Sequence, residues 1–214
     1  MRLLIVGATG GTGARVLDQA LTAGHQVTVL ARDPSRLAPD VTGAARVVAG
    51  DVLAPAGWRG AAAGQDAVVS CLGATDGRGP TRVYSRGTAH LVAAAREHGV
   101  GRLLCLSSAG LDPEPDVPWF QRLVIRAVVR PRYRNAYADM AAMESALAAD
   151  GAAPDWTVVR APMLTDGPLT GRYRTAVGTR LARPGRISRA DLAHYLLASL
   201  TDRAAHRAVV EIGY

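Results

Sequence analysis

Near the start of the chain, Gly7-Ala8-Thr9-Gly10-Gly11-Thr12-Gly13 sets glycines three residues apart between a short apolar run and a helical pattern. At this spacing Gly7 permits a tight turn, Gly10 lets a phosphate approach the backbone, and Gly13 lets a helix lie close on a sheet. The amides at the start of that helix, Gly11 among them, are free donors beside a partial positive charge and suit a pyrophosphate. Thr9 and Thr12 can add hydroxyl donors.

The chemistry sharpens after the second apolar run, at Ala31-Arg32-Asp33-Pro34-Ser35-Arg36. A dinucleotide site for NAD places an acid here to accept from the ribose 2′-hydroxyl. Arg32 stands near that place, Arg32 and Arg36 can clamp a 2′-phosphate, and Ser35 can add a hydroxyl, so the expected cofactor is NADPH. Asp33 is the counter-signal, a carboxylate able to serve an unphosphorylated ribose. Gly50-Asp51-Val52 is expected at the adenine, with a turn cap as the other reading of Asp51. Leu72-Gly73 lets the cofactor pass close to the backbone.

Composition narrows the rest. The chain has 214 residues, a net charge of +7 and no lysine at all. No Schiff base and no Tyr–Lys pair can form, and arginine is a poor general base. The arginines are scattered and aromatics are few, so no nucleic-acid partner is expected. The two cysteines, Cys71 and Cys105, make no disulfide framework or zinc site and read as small buried hydrophobes. The five histidines show no ligand spacing, and no metal is expected. No apolar run approaches the ~20 residues of a membrane span, and Leu3–Val6 is too short for a signal-peptide core. A soluble, cytoplasmic protein is expected.

The elements that must hold these residues alternate. Strands are predicted at Arg2–Val6, Gln26–Leu30, Arg46–Ala49, Asp66–Leu72, Arg102–Leu106, Trp156–Arg160 and Ala208–Ile212. Helices are predicted at Thr12–Ala23, Thr88–His98, Ala138–Ala149 and Arg189–Leu200, the last opened by a Ser188/Asp191 capping box. Continuous apolar strands between helices imply parallel βαβ units, hence a single-domain α/β Rossmann fold with a doubly wound parallel sheet over 1–214. The substrate-side segment is expected at about 108–185. Leu111–Pro118 reads as a loop. Gln121–Arg134 carries five arginines, of which Arg122, Arg126 and Arg130 share a helix face: a solvated face, or a surface for an anion or a protein partner.

In this order, GATGGTG, VTVLARDPSRL, GDV, GQDAVVSCLGA, LSSAG and LTDGPLTGRY resemble the atypical short-chain dehydrogenases of the NAD(P)H-binding, NmrA-like group, flavin reductase-like members above all. The resemblance implies an NADPH-dependent reductase with a loosely selective acceptor pocket. By position it assigns Thr12, Arg32, Ser35 and Arg36 to phosphates, Asp51 and Val52 to adenine, and Gly73 to the cofactor's path. It sets Ser108, with Ser107 before it, beside the nicotinamide, and Pro162 and Leu164 on the segment flanking the substrate. Two positions depart from the group: Met163 replaces a histidine, and the region of Met140 lacks a lysine.

Reduction of an isolated ketone leaves an alkoxide that wants a strong acid. Flavins, tetrapyrroles and quinones spread the charge over rings, and water or a serine hydroxyl then suffices. The missing lysine therefore favours a conjugated acceptor. Ser108 is the expected hydrogen-bond donor. Tyr137, with Tyr133, is a candidate proton donor or a ring packed on a helix. Arg160 either pairs with Glu144 or meets an anionic substrate, and Met163 and Leu164 complete the substrate side. Two other functions fit the same residues: an NADP(H)-binding redox sensor without turnover, using 121–134 as its partner surface, and a tailoring reductase for one specialised metabolite.

Overall fold

The computed structural model describes residues 1–38, 41–73, 79–111 and 130–214. Its first strand, β1 (Arg2–Val6), is followed by α1 (Gly11–Thr22), β2 (Gln26–Ala31), the single turn α2 (Val41–Ala44), β3 (Arg46–Ala49) and β4 (Ala67–Ser70). Then come α3 (Ser85–Glu97), β5 (Arg102–Ser108), α4 (Arg130–Ala149) and β6 (Asp155–Ala161). The chain closes through β7 (Met163–Thr165), β8 (Arg174–Val177), β9 (Arg186–Ser188), α5 (Arg189–Ala198) and β10 (Ala208–Gly213). Among the described residues no helix is long and apolar enough to cross a membrane.

Eight strands form one sheet in the order β3-β2-β1-β4-β5-β6-β10-β8, parallel throughout except that β8 runs against β10. β7 and β9 pair separately. The predicted doubly wound α/β architecture is present. Both sheet faces are covered, because successive residues of one strand point opposite ways. Leu3 and Ile5 join a cluster with Val16, Leu17 and Ala20 of α1 and Leu192, Ala193 and Leu196 of α5. Leu4 and Val6 join the opposite cluster with Leu91 and Ala95 of α3 and Met143 and Leu147 of α4. Each such side chain taken from water contributes about 1.5–3 kcal/mol, which fixes the strand that carries the glycine loop.

Three expectations change. α4 begins at Arg130, eight residues before the predicted start. Pro131 is tolerated in a first turn, where its missing N–H costs nothing, and Ala136, Met140, Met143 and Leu147 give the helix its inward face. Tyr133 and Tyr137 are thus inside the helix rather than before it. Strands β7, β8 and β9 were not expected; they are short, and β8 carries little buried surface, so their pairing is tertiary. The Ser188 half of the capping box forms, with the Asp191 amide donating to Ser188 Oγ at 3.0 Å, but the Asp191 carboxylate turns elsewhere. The expectations for residues 112–118 and 121–129 lie outside the described residues.

α4 is also tied to α3. The Asp139 carboxylate, buried, accepts from the Tyr84 amide at 2.9 Å, the Ser85 amide at 3.2 Å and the Ser85 hydroxyl. An acid from a neighbouring helix thereby caps α3, whose own N-cap residue, Tyr84, offers no side-chain hydrogen bond.

Candidate functional site

The order of strands reverses direction between β1 and β4, and the crevice outside their carboxyl ends is where such sheets take ligands. A cleft of about 410 Å³ opens there. Gly7, Thr9, Gly10, Arg32, Arg36, Asp51, Val52, Leu72 and Gly73, all singled out in the sequence, line it together. Gly50, expected at the adenine with Asp51 and Val52, lines it as well, and so do Leu53, Cys71, Pro80, Thr81 and Val83, which the sequence did not mark as ligand contacts. Apolar residues after a strand carry no mark distinguishing a cleft wall from core.

The glycine loop is shaped by close approach. Gly7 has φ of +84°, and a Cβ there would collide with the Cys71 carbonyl of the neighbouring strand end. A Cβ on Gly13 would collide with the Gly7 carbonyl, so the first turn of α1 lies directly on the loop. Gly10 is different: its Cβ would stand 3.4 Å from the nearest protein atom, so the protein itself leaves room there. No side chain caps α1 and its first turn holds no acid, so the amides of that turn are available to an anion. This donor cradle fits a diphosphate. Thr12 is buried within the helix.

Past β2, Arg32 and Arg36 are exposed at the cleft. Asp33, the counter-signal, is occupied. Its Oδ1 accepts from the Ser35 amide at 3.1 Å and the Ser35 hydroxyl at 2.6 Å, capping the turn Pro34–Arg36. Those hydrogen bonds, with the nearby Arg36 charge, hold its carboxyl below the usual carboxylate range. Ser35 spends its hydroxyl proton on Asp33 and retains only acceptor capacity. Asp51 caps its own turn, accepting from the Leu53 amide at 2.9 Å. Its carbonyl receives the Trp58 indole N–H at 2.7 Å, and Val52's carbonyl contacts His90 Nδ1 at 2.8 Å. Burial pushes the Cys71 and Cys105 thiols up to about 12, so neither is a nucleophile at neutral pH.

A second group gathers where β5 ends. The Gly110 amide donates to Ser108 Oγ at 3.1 Å. A Cβ on Gly110 would strike the Tyr137 hydroxyl and stand 3.3 Å from Ser108 Oγ, so both hydroxyls flank one point. The Tyr137 ring stacks on Tyr133, with centroids 5.8 Å apart, which holds it on one helix face. Two turns further along α4, Glu144 accepts from Ser107 Oγ at 2.6 Å and from Arg160 Nη2 at 2.7 Å. Arg160 also lies 3.8 Å from Glu211, whose carboxylate receives the Leu181 amide at 2.9 Å. One guanidinium between two buried carboxylates locks α4 onto β6 and β10 and so sets the height of Tyr137.

That network changes the reading of Ser107 and selects between the two readings of Arg160, and strand alternation changes that of Leu164. The Ser107 hydroxyl is committed to Glu144, leaving only its backbone for a ligand. Arg160 pairs with Glu144 and is spent on the scaffold. Leu164 packs inward on the core, while Met163 beside it is 64 % exposed, as strand alternation requires. Pro162 is half-buried between β6 and β7. The sequence also concealed Asp191, which is fully buried. It accepts from the Thr170 and Gly171 amides at 2.8 Å each, the Thr170 hydroxyl at 2.7 Å and the Tyr214 hydroxyl at 2.6 Å. Burial alone would raise its pKa; these bonds outweigh it and leave the carboxyl below its usual range.

A parallel, doubly wound sheet with an uncapped, glycine-lined helix start at its switch point defines a dinucleotide-binding protein of the Rossmann class. Residues 7–203 match the NAD(P)H-binding family, and the chain belongs to it. Over 120 residues it is 31 % identical to the photosystem II assembly factor Ycf39 of Synechocystis sp., covering 55 % of this chain and 37 % of that protein. Over another 120-residue match it is 39 % identical to a 3-diazoavenalumate denitrifying reductase of Streptomyces sp., covering 51 % of this chain and 38 % of that one. The chain thus spans under two-fifths of the length of these relatives. In fold it is similar to a short-chain dehydrogenase/reductase of Veillonella parvula solved with NADP (TM-score 0.81, 17 % identity, 100 % and 94 % covered). It is likewise similar to ChuY, an anaerobillin reductase of Escherichia coli O157:H7 (TM-score 0.76, 20 % identity, 100 % and 97 % covered).

Proposed function

We propose that this protein is a cytoplasmic NADPH-dependent reductase that delivers hydride to a conjugated acceptor of the flavin, tetrapyrrole or quinone type, lacking the Tyr–Lys pair of ordinary short-chain dehydrogenases. The observation that carries the reading is the meeting of the Ser108 and Tyr137 hydroxyls at Gly110 in a chain without lysine. Bound NADPH would supply the hydride. The amides of Gly11 and Thr12 would hold its diphosphate, and Arg32 and Arg36 its 2′-phosphate. Asp51 and Val52 would border the adenine, and Gly73, Ser107's backbone and Pro162 the path to the nicotinamide. Ser108 would orient acceptor or nicotinamide through its Oγ, Tyr137 would offer a proton from its hydroxyl, and Met163 would present an apolar surface to the acceptor. A hydroxyl suffices for a proton when the negative charge is spread over fused rings; an isolated alkoxide would demand more.

The test is steady-state NADPH oxidation with FMN, FAD, a linear tetrapyrrole and a quinone beside a simple ketone. Turnover on a conjugated acceptor and none on the ketone is expected. Tight nucleotide binding with no turnover on any of them sinks the reductase reading and leaves a redox sensor. Replacing Arg32 and Arg36 together by Gln should weaken NADPH binding about a hundredfold and leave NADH nearly unchanged, since each guanidinium–phosphate contact is a charge-assisted bond.

A further inference from the structure

We propose that Arg189 is an additional diphosphate-binding residue, exchanged between the carboxylate of Asp166 and an anion at the start of α1. The inference rests on the nucleotide site described above and adds to it a cation from the opposite end of the chain.

Arg189 is the first residue of α5, yet its Nε and Cδ lie 2.8 and 2.9 Å from where a Cβ on Gly11 would stand. Glycine at position 11 is what admits the guanidinium to the first turn of α1. The placement is rigid at its root. Gln19 Nε2 of α1 donates to the Ala190 carbonyl at 2.9 Å, and Leu192 and Ala193 pack in the same cluster as Val16 and Leu17. The far end is held weakly. Arg189 Nη1 meets Asp166 Oδ1 at 2.7 Å, but Asp166 is 80 % exposed, and ion pairs to such a carboxylate add little.

A diphosphate on the uncapped amides of α1 would bring two negative charges next to this arginine. It would offer several charged oxygens to the guanidinium's planar fork, where Asp166 engages it through a single Nη1–Oδ1 contact at an exposed carboxylate. Arg189 would then turn from Asp166 to the phosphate. Unlike Arg32 and Arg36, it stands beside the part of the nucleotide that NADPH and NADH share.

Calorimetric titration of NADPH and NADH into the wild type, R189Q and D166N tests this. R189Q should weaken both nucleotides about tenfold and leave their ratio unchanged. D166N, an exposed change that should not disturb folding, should tighten both about threefold by removing the competing carboxylate. An R189Q protein that binds both as the wild type does, or that loses NADPH alone, overturns the proposal. So does a D166N protein whose affinities stay equal or fall, which decides the matter even if R189Q does not fold. A wild-type chain that binds neither nucleotide overturns the preceding reading and takes this inference with it.

Discussion

The two ends of the site are built differently. At the nucleotide end, between β1 and β4, the working groups are backbone amides and the glycines that expose them, and seven consecutive residues carry most of the design. At the proposed acceptor end, beyond β5 and β6, the groups are side chains brought together from distant positions, Ser108 from a strand and Tyr137 from α4, and elsewhere in the scaffold Asp191 of α5 holds 170–171 in the same way. A backbone site depends on the absence of atoms, so almost any side chain added to it collides. A side-chain site depends on the scaffold that aims it, so it can be weakened gradually.

That contrast can be broken in steps of decreasing size. Gly13→Ala drives a Cβ into the Gly7 carbonyl, and neither backbone can yield. Urea unfolding should show a loss of about 3 kcal/mol, with nucleotide binding abolished; a G13A protein of wild-type stability would mean the loop is slack. Asp191→Asn should cost about 2 kcal/mol, the loss of hydrogen bonds to a charged acceptor. The wild-type carboxyl titrates lower folded than unfolded. Its stabilisation is therefore complete above the unfolded value of about 3.9 and fades as pH falls through the folded one. Thermal unfolding from pH 7 down to pH 2 should thus converge for wild type and D191N at the acid end; curves that stay parallel would remove Asp191 as the source. Ser108→Ala and Tyr137→Phe should each lower kcat about tenfold, the worth of one hydrogen bond, with nucleotide Kd unchanged. Equal losses in Kd would show that the two ends are not separate.

The same contrast explains how much was legible. β1 and β3 fall where the apolar runs put them, and α1 starts one residue early, because a strand buried on both faces must be apolar throughout and a helix must be striped. Arg32 and Arg36 reach the cleft as expected, since their distance from the end of β2 is set by a short connection. Asp33 was ambiguous until its carboxylate was seen on Ser35. Ser107 reads as a ligand contact and Arg160 as a ligand contact or a partner of Glu144; both are scaffold, because Glu144, 37 residues from the first and 16 from the second, claims both. Arg189 had no sequence signal at all; its neighbour Gly11 is 178 residues away.

What the amino-acid order determined by itself is the parallel part of the sheet and the phosphate cradle, for these follow from periodicity and from glycines a few residues apart, whereas the antiparallel β8 and the β7–β9 pair do not. Only the folded chain decided which polar side chains stay available for chemistry. That choice depends on which donor meets which carboxylate across the layers, and a buried charge takes the nearest partner in space, however remote it is along the chain.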